Sequence, residues 1–172
     1  MKYRLLKNSD NDISNVLKTV LKNRNITDYN TYLHLIDDVL IDFNKLDNIF
    51  EAAKCFLKHY ENKDEIAILA DNDVDGLCSS AMMYRYIKEL DKDYPVDLII
   101  HKRNKSHGLS DNDFELPQDI KLLIVPDAGT NDTAACKQLS EQGIDVLILD
   151  HHQKAVDNPY AIIVNHQVSK DS

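Results

Sequence analysis

Three short segments of this sequence gather carboxylate and imidazole side chains at points where a β-strand is predicted to end. They are Asp71-Asn72-Asp73-Val74-Asp75, Asp127, and Asp150-His151-His152. Carboxylate oxygens with one or two imidazoles suit Mn²⁺ or Mg²⁺ better than zinc. Two such ions about 3.5–4 Å apart, bridged by a shared carboxylate, can activate a water molecule and stabilise a leaving oxygen. That chemistry fits the hydrolysis of a phosphodiester.

The alternation of the first three aspartates favours a metal site over a solvated loop. Alternate side chains of an extended segment point to one side, so these carboxylates would crowd together. Crowded carboxylates raise one another's pKa unless a cation neutralises them. A helix N-cap would need only one carboxylate. The calcium loop of EF-hands is excluded, because its twelfth position requires a bidentate Glu and that position here is Met82.

The other two segments support the same interpretation. Asp127 follows an apolar run and precedes Gly129, where the missing side chain allows a close backbone approach. Taken alone, Asp127 would fit a turn equally well. His151 and His152 can take different tasks, one as a ligand and one facing the substrate, while Asp150 can orient an imidazole.

The predicted secondary structure changes near residue 63. Before it, apolar residues recur at helical steps in the stretches 13–21, 32–40 and 46–60, so residues 1–62 are predicted to form an N-terminal helical region that packs on the domain. After it, predicted strands alternate with predicted helices, which indicates an α/β core over residues 63–172. The strands are expected at 66–70, 96–101, 122–125, 146–149 and 161–164, and the helices at 77–90 and 130–142.

The predicted fold is therefore α/β, with a mainly parallel sheet of about five strands flanked by helices. The carboxyl ends of parallel strands share one edge, where ligands bind. Because the three acidic segments each follow a strand, we expect them to converge in one crevice at that edge.

Composition limits the classes of function. With 43% hydrophobic and 28% charged residues in 172, the chain is typical of globular proteins. The apolar runs are too short to cross a bilayer, and the N-terminus lacks the apolar core of a secretory signal, so a cytoplasmic location and no membrane partner are expected. The net charge of −9 argues against a general electrostatic grip on nucleic acid, unless the acidic residues hold cations or a basic partner domain is missing from this chain.

The cysteines predict neither a zinc ribbon nor a disulfide framework. Cys55, Cys78 and Cys136 lie far apart in the sequence, without a CxxC pair. Each belongs to an apolar pattern, so all three are expected to be buried thiols.

In order and spacing, the acidic segments resemble the motifs of the DHH phosphoesterases, and among them those of the RecJ-type single-strand exonucleases. The motifs are Ile68-Leu69-Ala70-Asp71-Asn72-Asp73-Val74-Asp75-Gly76, Val125-Pro126-Asp127-Ala128-Gly129-Thr130-Asn131 and Leu149-Asp150-His151-His152-Gln153. Arg103 and Ser106-His107-Gly108-Leu109 resemble the family's Arg…Gly-Tyr-Gly-Leu loop, with Ser106 and His107 in place of Gly and Tyr. Asn165-His166-Gln167 resembles its Asn-Pro-x-Gln. The resemblance extends from about Leu35 to Gln167.

This resemblance implies the ligand set of a site for two Mn²⁺ or Mg²⁺ ions. The implied ligands are Asp73, Asp75, Asp127 and His151. Asp71 would be either a further ligand or a residue that contacts and orients a ligand. Asp127 would bridge the two ions, and an ion-bound hydroxide would be the nucleophile.

The resemblance also implies roles for the residues around the ions. His152 and Arg103 would contact the substrate phosphate, and His152 would complete the catalytic set. Asp150 would hold a histidine in place. The family has a further metal-ligating Asp beyond the DHH motif and a second domain that helps to bind substrate, so a second domain or chain is expected to complete this site.

The implied function is metal-dependent phosphodiester hydrolysis by a RecJ-like exonuclease, or its catalytic-domain fragment, that degrades single-stranded DNA from 5′ to 3′ in repair or recombination. Two alternatives remain open at this point. One is a DHH phosphodiesterase of short oligonucleotides or cyclic dinucleotides. The other is a non-catalytic, RecJ-like scaffold in DNA replication or repair.

Overall fold

The computed structural model describes residues 13–34, 42–102, 107–110 and 114–169. The chain divides into two compact units, Met1–Ile41 and Asp42–Ser172. In the first unit, helix α1 spans Ile13–Asn23 and the short helix α2 spans Tyr29–Leu33. Asp28 caps α2, because its Oδ1 accepts the Thr31 N–H at 3.1 Å. The stretch 13–21 is thus confirmed as helical, whereas α2 ends within the stretch 32–40, of which residues 35–40 lie outside the described ranges.

The second unit is built on a five-stranded sheet in which every pairing is parallel. The strands are β1 Glu65–Ala70, β2 Val96–Ile100, β3 Ile120–Pro126, β4 Asp145–Asp150 and β5 Ile162–Asn165. Their order across the sheet is β2-β1-β3-β4-β5. The central strands read as nearly continuous apolar runs, as expected when both faces of a sheet are covered. The predicted α/β fold with five strands is confirmed.

Helices cover both faces of this sheet. They are a 3₁₀ turn at Phe43–Lys45, α3 Ile49–Asn62, α4 Val74–Leu90 and α5 Thr133–Glu141. On one face, α3 and α4 pack through Ala52, Cys55 and Ile87 against Ile66 and Ile68 of β1. On the other face, α5 packs on the sheet through Cys136 and Leu139.

Helix α3 belongs to the second compact unit, which begins at Asp42, because its apolar face is part of the core of the sheet. The division into a helical region 1–62 and an α/β core 63–172 stays a prediction.

The prediction of three buried cysteines is correct for Cys55 and Cys136 and wrong for Cys78, which is exposed. Cys78 lies in the second turn of α4, on the side turned away from the sheet. Within the described ranges, none of the helices combines the length and the apolar character that crossing a bilayer requires.

The strand order creates the point at which a ligand site is expected. From β1 the chain runs through α4 to β2 on one side of β1, and then returns to β3 on the other side. At such a switch in strand order, the loops after β1 and β3 separate and leave a crevice. Asp71 follows β1 directly and Asp127 follows β3, so both lie at this crevice.

The packing of β3 leads to a stability prediction. Ile124 is fully buried at the centre of β3, so Ile124→Ala should lower the free energy of unfolding by about 2–5 kcal/mol, through lost burial and a residual cavity. Urea unfolding measures this change. Leu57→Ala on the half-exposed side of α3 is the control and should stay within about 0.5 kcal/mol of the wild type. Equal losses in both variants would contradict the assigned core.

Candidate metal centre

Asp71 is the innermost carboxylate of the site. It is buried at the end of β1, and its Oδ1 accepts the Gly108 N–H at 3.2 Å. Nδ1 of His107 lies 3.0 Å from its Oδ2. Helix α4 closes over it at Gly76, where an added Cβ would stand 2.6 Å from the Asp71 Cβ and 2.8 Å from its carbonyl oxygen. Only a residue without a side chain fits there.

Asp73 is the N-cap of α4. Its Oδ1 accepts the Gly76 N–H at 3.0 Å, and this hydrogen bond holds the pKa of Asp73 below its ordinary value, against the effect of burial. The helix therefore begins at Val74. The prediction of an extended segment through Asp75 is wrong at its end: Asp75 lies in the first helical turn, and its side chain is mostly exposed.

Asp127 occupies a strained and buried position at the end of β3. Its backbone has φ 71°, a left-handed conformation that non-glycine residues seldom adopt and Asp tolerates better than most. The Asp127 N–H donates to the Leu149 carbonyl oxygen at 2.7 Å. Oδ1 lies 3.0 Å from His151 Nε2, while Oδ2 is buried without a hydrogen-bond partner among the described residues. Such an unpaired buried oxygen calls for a ligand.

The electrostatics of Asp127 indicate the charge of that ligand. Burial, followed by the neighbouring charges of Asp75 and Asp73, raises the pKa of Asp127 to about 6. A carboxylate that is disfavoured in its charged form by other carboxylates is stabilised by a nearby cation.

Asp150 organises the histidines that follow it. Its Oδ1 accepts the backbone N–H groups of His151 and His152 at 2.7 and 3.1 Å, and His152 Nδ1 lies 2.8 Å from the same oxygen. Its Oδ2 accepts the Thr130 N–H at 3.0 Å. Burial raises the pKa of Asp150, but the hydrogen bonds from Thr130 and His152 outweigh it and lower the pKa to about 2. The hydrogen bond to Asp150 in turn raises the pKa of His152.

The structure brings the predicted residues of the three segments together. His151 Nε2 lies 3.0 Å from Asp127 Oδ1 and 3.8 Å from Asp75 Oδ2. Two groups each have ligand atoms within 4.8 Å of one another, namely Asp71, Asp73 and Asp127, and Asp127, His151 and His152. Asp127 belongs to both groups. The oxygen and nitrogen donors, the unpaired Oδ2 and the crowded charge all fit divalent cations, while the role of each residue as a ligand stays a prediction.

Arg103, predicted to contact the substrate phosphate, lies outside the described residues. The neighbouring Gly108 is described, with φ 60°, and its N–H reaches Asp71.

The structure also identifies supporting residues to which the sequence analysis gave no role. Asp132 holds the loop that carries Gly108: its Oδ2 accepts the Leu109 N–H at 2.7 Å and its Oδ1 accepts the Ser110 hydroxyl at 2.6 Å. Nothing in the sequence distinguished Asp132 from an ordinary polar residue before a helix.

Asn165 and Asn131 support the loop that follows the histidines. Asn165 is buried, and its Nδ2 donates to Thr130 Oγ1 at 3.0 Å and to the His152 carbonyl oxygen at 2.8 Å. Asn131 Oδ1 accepts the Ala155 N–H at 2.7 Å. Both asparagines lie in the quoted motifs, which was the available signal, but their partners become visible only in the fold.

A cavity of about 220 Å³ opens beside the carboxylates of Asp71 and Asp150. Asp71, His107 and His152 are among the residues that line it. A small polar group, such as a phosphate, would fit in it next to His107 and His152.

Comparison with known proteins places these observations in a family context. The sequence profile described as "DHH family, N-terminal domain" matches residues 65–172. YorK of Bacillus subtilis, named as a predicted single-strand DNA-specific exonuclease of the SPbeta prophage, is 35% identical over 98% of this chain and 29% of its own length. The RecJ single-stranded-DNA-specific exonuclease of Haemophilus influenzae is 29% identical over 76% of this chain and 23% of its own length. The chain thus spans less than a third of these curated relatives.

Solved structures match the fold. RecJ of Thermus thermophilus in complex with Mn²⁺ aligns with a TM-score of 0.61 at 22% identity, over 78% of this chain and 19% of that one. An exonuclease RecJ bound to manganese aligns with a TM-score of 0.63 at 21% identity, over 77% of this chain and 34% of that one. At these identities the likeness establishes the α/β architecture.

The raised pKa of Asp127 predicts an unusual pH dependence without divalent ions. A carboxyl whose folded-state pKa exceeds its unfolded value stabilises the fold at low pH and loses that contribution as pH rises. Between about pH 4 and pH 6 the free energy of unfolding should fall by up to about 3 kcal/mol from this group, for a shift from 3.8 to about 6. Urea unfolding in a chelator measures this slope. In Asp127→Asn the slope should shrink, and equal slopes in the two proteins would refute the assignment.

The contact between Gly76 and Asp71 predicts a loss of ion binding in Gly76→Ala. The added methyl group would displace Asp71 or the first turn of α4, so Mn²⁺ affinity should fall by about 10–100-fold, as it does when the support of a ligand is disturbed. Calorimetric titration measures the affinity. Gly143→Ala is the control, because it also adds a methyl group to a glycine, but at φ 76° and with nothing within 4 Å of the added Cβ. Equal Mn²⁺ affinities of the two variants would contradict this prediction.

Proposed function

The chain belongs to the DHH family, through the N-terminal domain of that family, and we propose that it hydrolyses single-stranded DNA as the catalytic domain of a RecJ-like exonuclease. The observation that carries the proposal is the position of Asp127. It is the one residue common to both candidate ligand groups among the described residues at this edge of the sheet, and its buried Oδ2 lacks a partner there. A single carboxylate shared by two adjacent donor groups is the arrangement expected of a bridging ligand between two ions.

The proposed cofactor is a pair of Mn²⁺ or Mg²⁺ ions. The proposed ligands are Asp73, Asp75, Asp127 and His151. Asp71 would be either a further ligand or a residue that contacts and orients a ligand. The manganese named in the two similar RecJ structures favours Mn²⁺. When bound, such ions supply a water of lowered pKa and neutralise the charge that develops on the phosphate.

Side chains beside the proposed ions would bind and orient the substrate phosphate. Asp150 stays ionised, since its pKa is about 2, and through its contact with Nδ1 of His152 it fixes the orientation of that ring. The other ring nitrogen of His152 would then face a phosphate oxygen of the substrate. The raised pKa of His152 favours the protonated ring, which is the form that attracts a phosphate. Arg103 would contribute a second positive contact.

The selection of single-stranded DNA rests on the relatives named above, YorK and RecJ. A chain with a net charge of −9 offers little general attraction for a polyanion. The proposal therefore includes a second domain or chain that guides the strand, with degradation from 5′ to 3′ in repair or recombination and a cytoplasmic location.

The function is tested by hydrolysis of a 5′-labelled single-stranded oligonucleotide in the presence of Mn²⁺. Asp127→Asn should lower the rate by more than about 100-fold, because even a residue that only supports a ligand contributes 10–100-fold. Asparagine keeps the shape of the side chain and tolerates the left-handed backbone, so the loss would report the charge. Glu89→Gln, on the exposed side of α4, is the control and should retain wild-type activity. Equal rates for Asp127→Asn and the wild type would refute the proposal.

The same assay distinguishes the alternatives. Early release of labelled mononucleotide indicates attack from the 5′ end, whereas a ladder of shortening products indicates the opposite polarity. A series of substrates from dinucleotides and cyclic dinucleotides to long strands identifies a short-oligonucleotide phosphodiesterase if the shortest are cleaved fastest. The absence of both saturable Mn²⁺ binding and hydrolysis of any of these substrates would favour a scaffold.

A further inference from the structure

A second cluster of potential ligands lies at the opposite edge of the sheet. Cys55 and His59 are one helical turn apart on α3, on the face that packs on the sheet, and both are buried. Asp145 is the first residue of β4. One ligand atom from each of these three residues lies within 4.8 Å of the other two. Asp150 ends the same strand, so the length of β4, roughly 16 Å, separates this cluster from the candidate metal centre.

The His59 ring lies between two carboxylates. Its Nδ1 lies 2.8 Å from Asp64 Oδ2, and its Nε2 lies 2.9 Å from Asp145 Oδ2. A neutral imidazole that donates from Nδ1 to a carboxylate presents a lone pair at Nε2, which is how carboxylates orient histidine ligands. Because a neutral ring has only one N–H, the second carboxylate contact requires a shared cation, either a proton or a metal ion.

A cavity gives solvent access to the cluster. It has a volume of about 470 Å³, and Cys55 and Asp145 are among the residues that line it. Zinc sites with three protein ligands keep a fourth position for water or another ligand. An ion held by Cys55 and Asp145 at the cavity wall would have such a position facing the cavity.

We propose that Cys55, His59 and Asp145 form a zinc site with its fourth coordination position open to this cavity. Thiolate, imidazole and carboxylate are the donor types that zinc accepts in proteins, whereas the oxygen-rich centre at the other edge suits Mn²⁺ or Mg²⁺. Binding replaces the thiol proton of Cys55, which is released to solvent as the sulfur–zinc bond forms.

An ion at this cluster would compete with the thiol proton of Cys55 and with the ammonium group of Lys58. Burial raises the pKa of the Cys55 thiol, and the Asp145 charge raises it further, so the sulfur is protonated until a cation takes the place of the proton. Lys58 Nζ lies 3.0 Å from Asp145 Oδ2 and competes for that oxygen. The Lys58 side chain is mostly exposed and can turn into solvent when an ion binds.

Cobalt(II) is the probe, because a thiolate bound to Co²⁺ produces a charge-transfer absorption band in the near ultraviolet that oxygen and nitrogen ligands do not. None of the candidate residues at the other metal centre is a cysteine, so the band reports this cluster alone. The full chain should show a saturable band equal to one Co²⁺ per chain, and one equivalent of Zn²⁺ should remove it. Cys55→Ser should lose the band, and the exposed-thiol variant Cys78→Ser should keep it.

Lys58→Met keeps all three ligands and removes the competing ammonium group. It should bind Co²⁺ at least as tightly as the wild type, with the same band. The proposal is overturned if the wild-type chain shows no saturable band, if Cys55→Ser retains it, or if Lys58→Met loses it. Circular dichroism of each ion-free variant establishes that it is folded before titration.

Discussion

The carboxyl-terminal edge of the sheet is constrained above all by the mutual repulsion of the carboxylates that surround the buried Asp127. Asp127 Oδ1 lies 3.0 Å from His151 Nε2. Burial, together with the charges of Asp75 and Asp73, raises the pKa of Asp127 to about 6. Left to itself, such a cluster would spread into solvent. The parallel sheet prevents this, because β1, β3 and β4 end side by side and carry the acidic segments with them.

Hydrogen bonds from the backbone keep the cluster in place. Asp73 accepts an N–H of helix α4, and Asp150 accepts an N–H of the loop after β3. Asp132 holds the loop 108–110 against Asp71. Asp150 and Asp127 differ in their protonation. Hydrogen bonds lower the pKa of Asp150 to about 2, whereas burial and the charges of Asp75 and Asp73 raise the pKa of Asp127 to about 6. The divalent ions of the proposed function would remove the need for a proton on Asp127.

Most of the fold was predictable from hydrophobic periodicity, since each predicted strand overlaps an observed one. The convergence of the acidic segments was predictable as well, because parallel strands share an edge. Other features depend on tertiary contacts. The start of α4 at Val74 follows from the capping bond of Asp73, and the placement of α3 in the sheet unit follows from its buried face. Cys78 looked like part of an apolar pattern but faces solvent. Cys55 and His59 lie one helical turn apart, but Asp145 is 86 residues beyond His59, and no spacing rule connects it with that pair.

The left-handed backbone of Asp127 restricts which residues evolution can place there. Asn and Gly adopt this conformation readily, whereas β-branched residues are strongly disfavoured. A lineage that abandoned ion binding could therefore drift to Asn or Gly without reshaping the end of β3, while other replacements would carry a backbone penalty of about 1–3 kcal/mol as well. The residue types tolerated at position 127 are therefore limited by the backbone conformation as well as by charge.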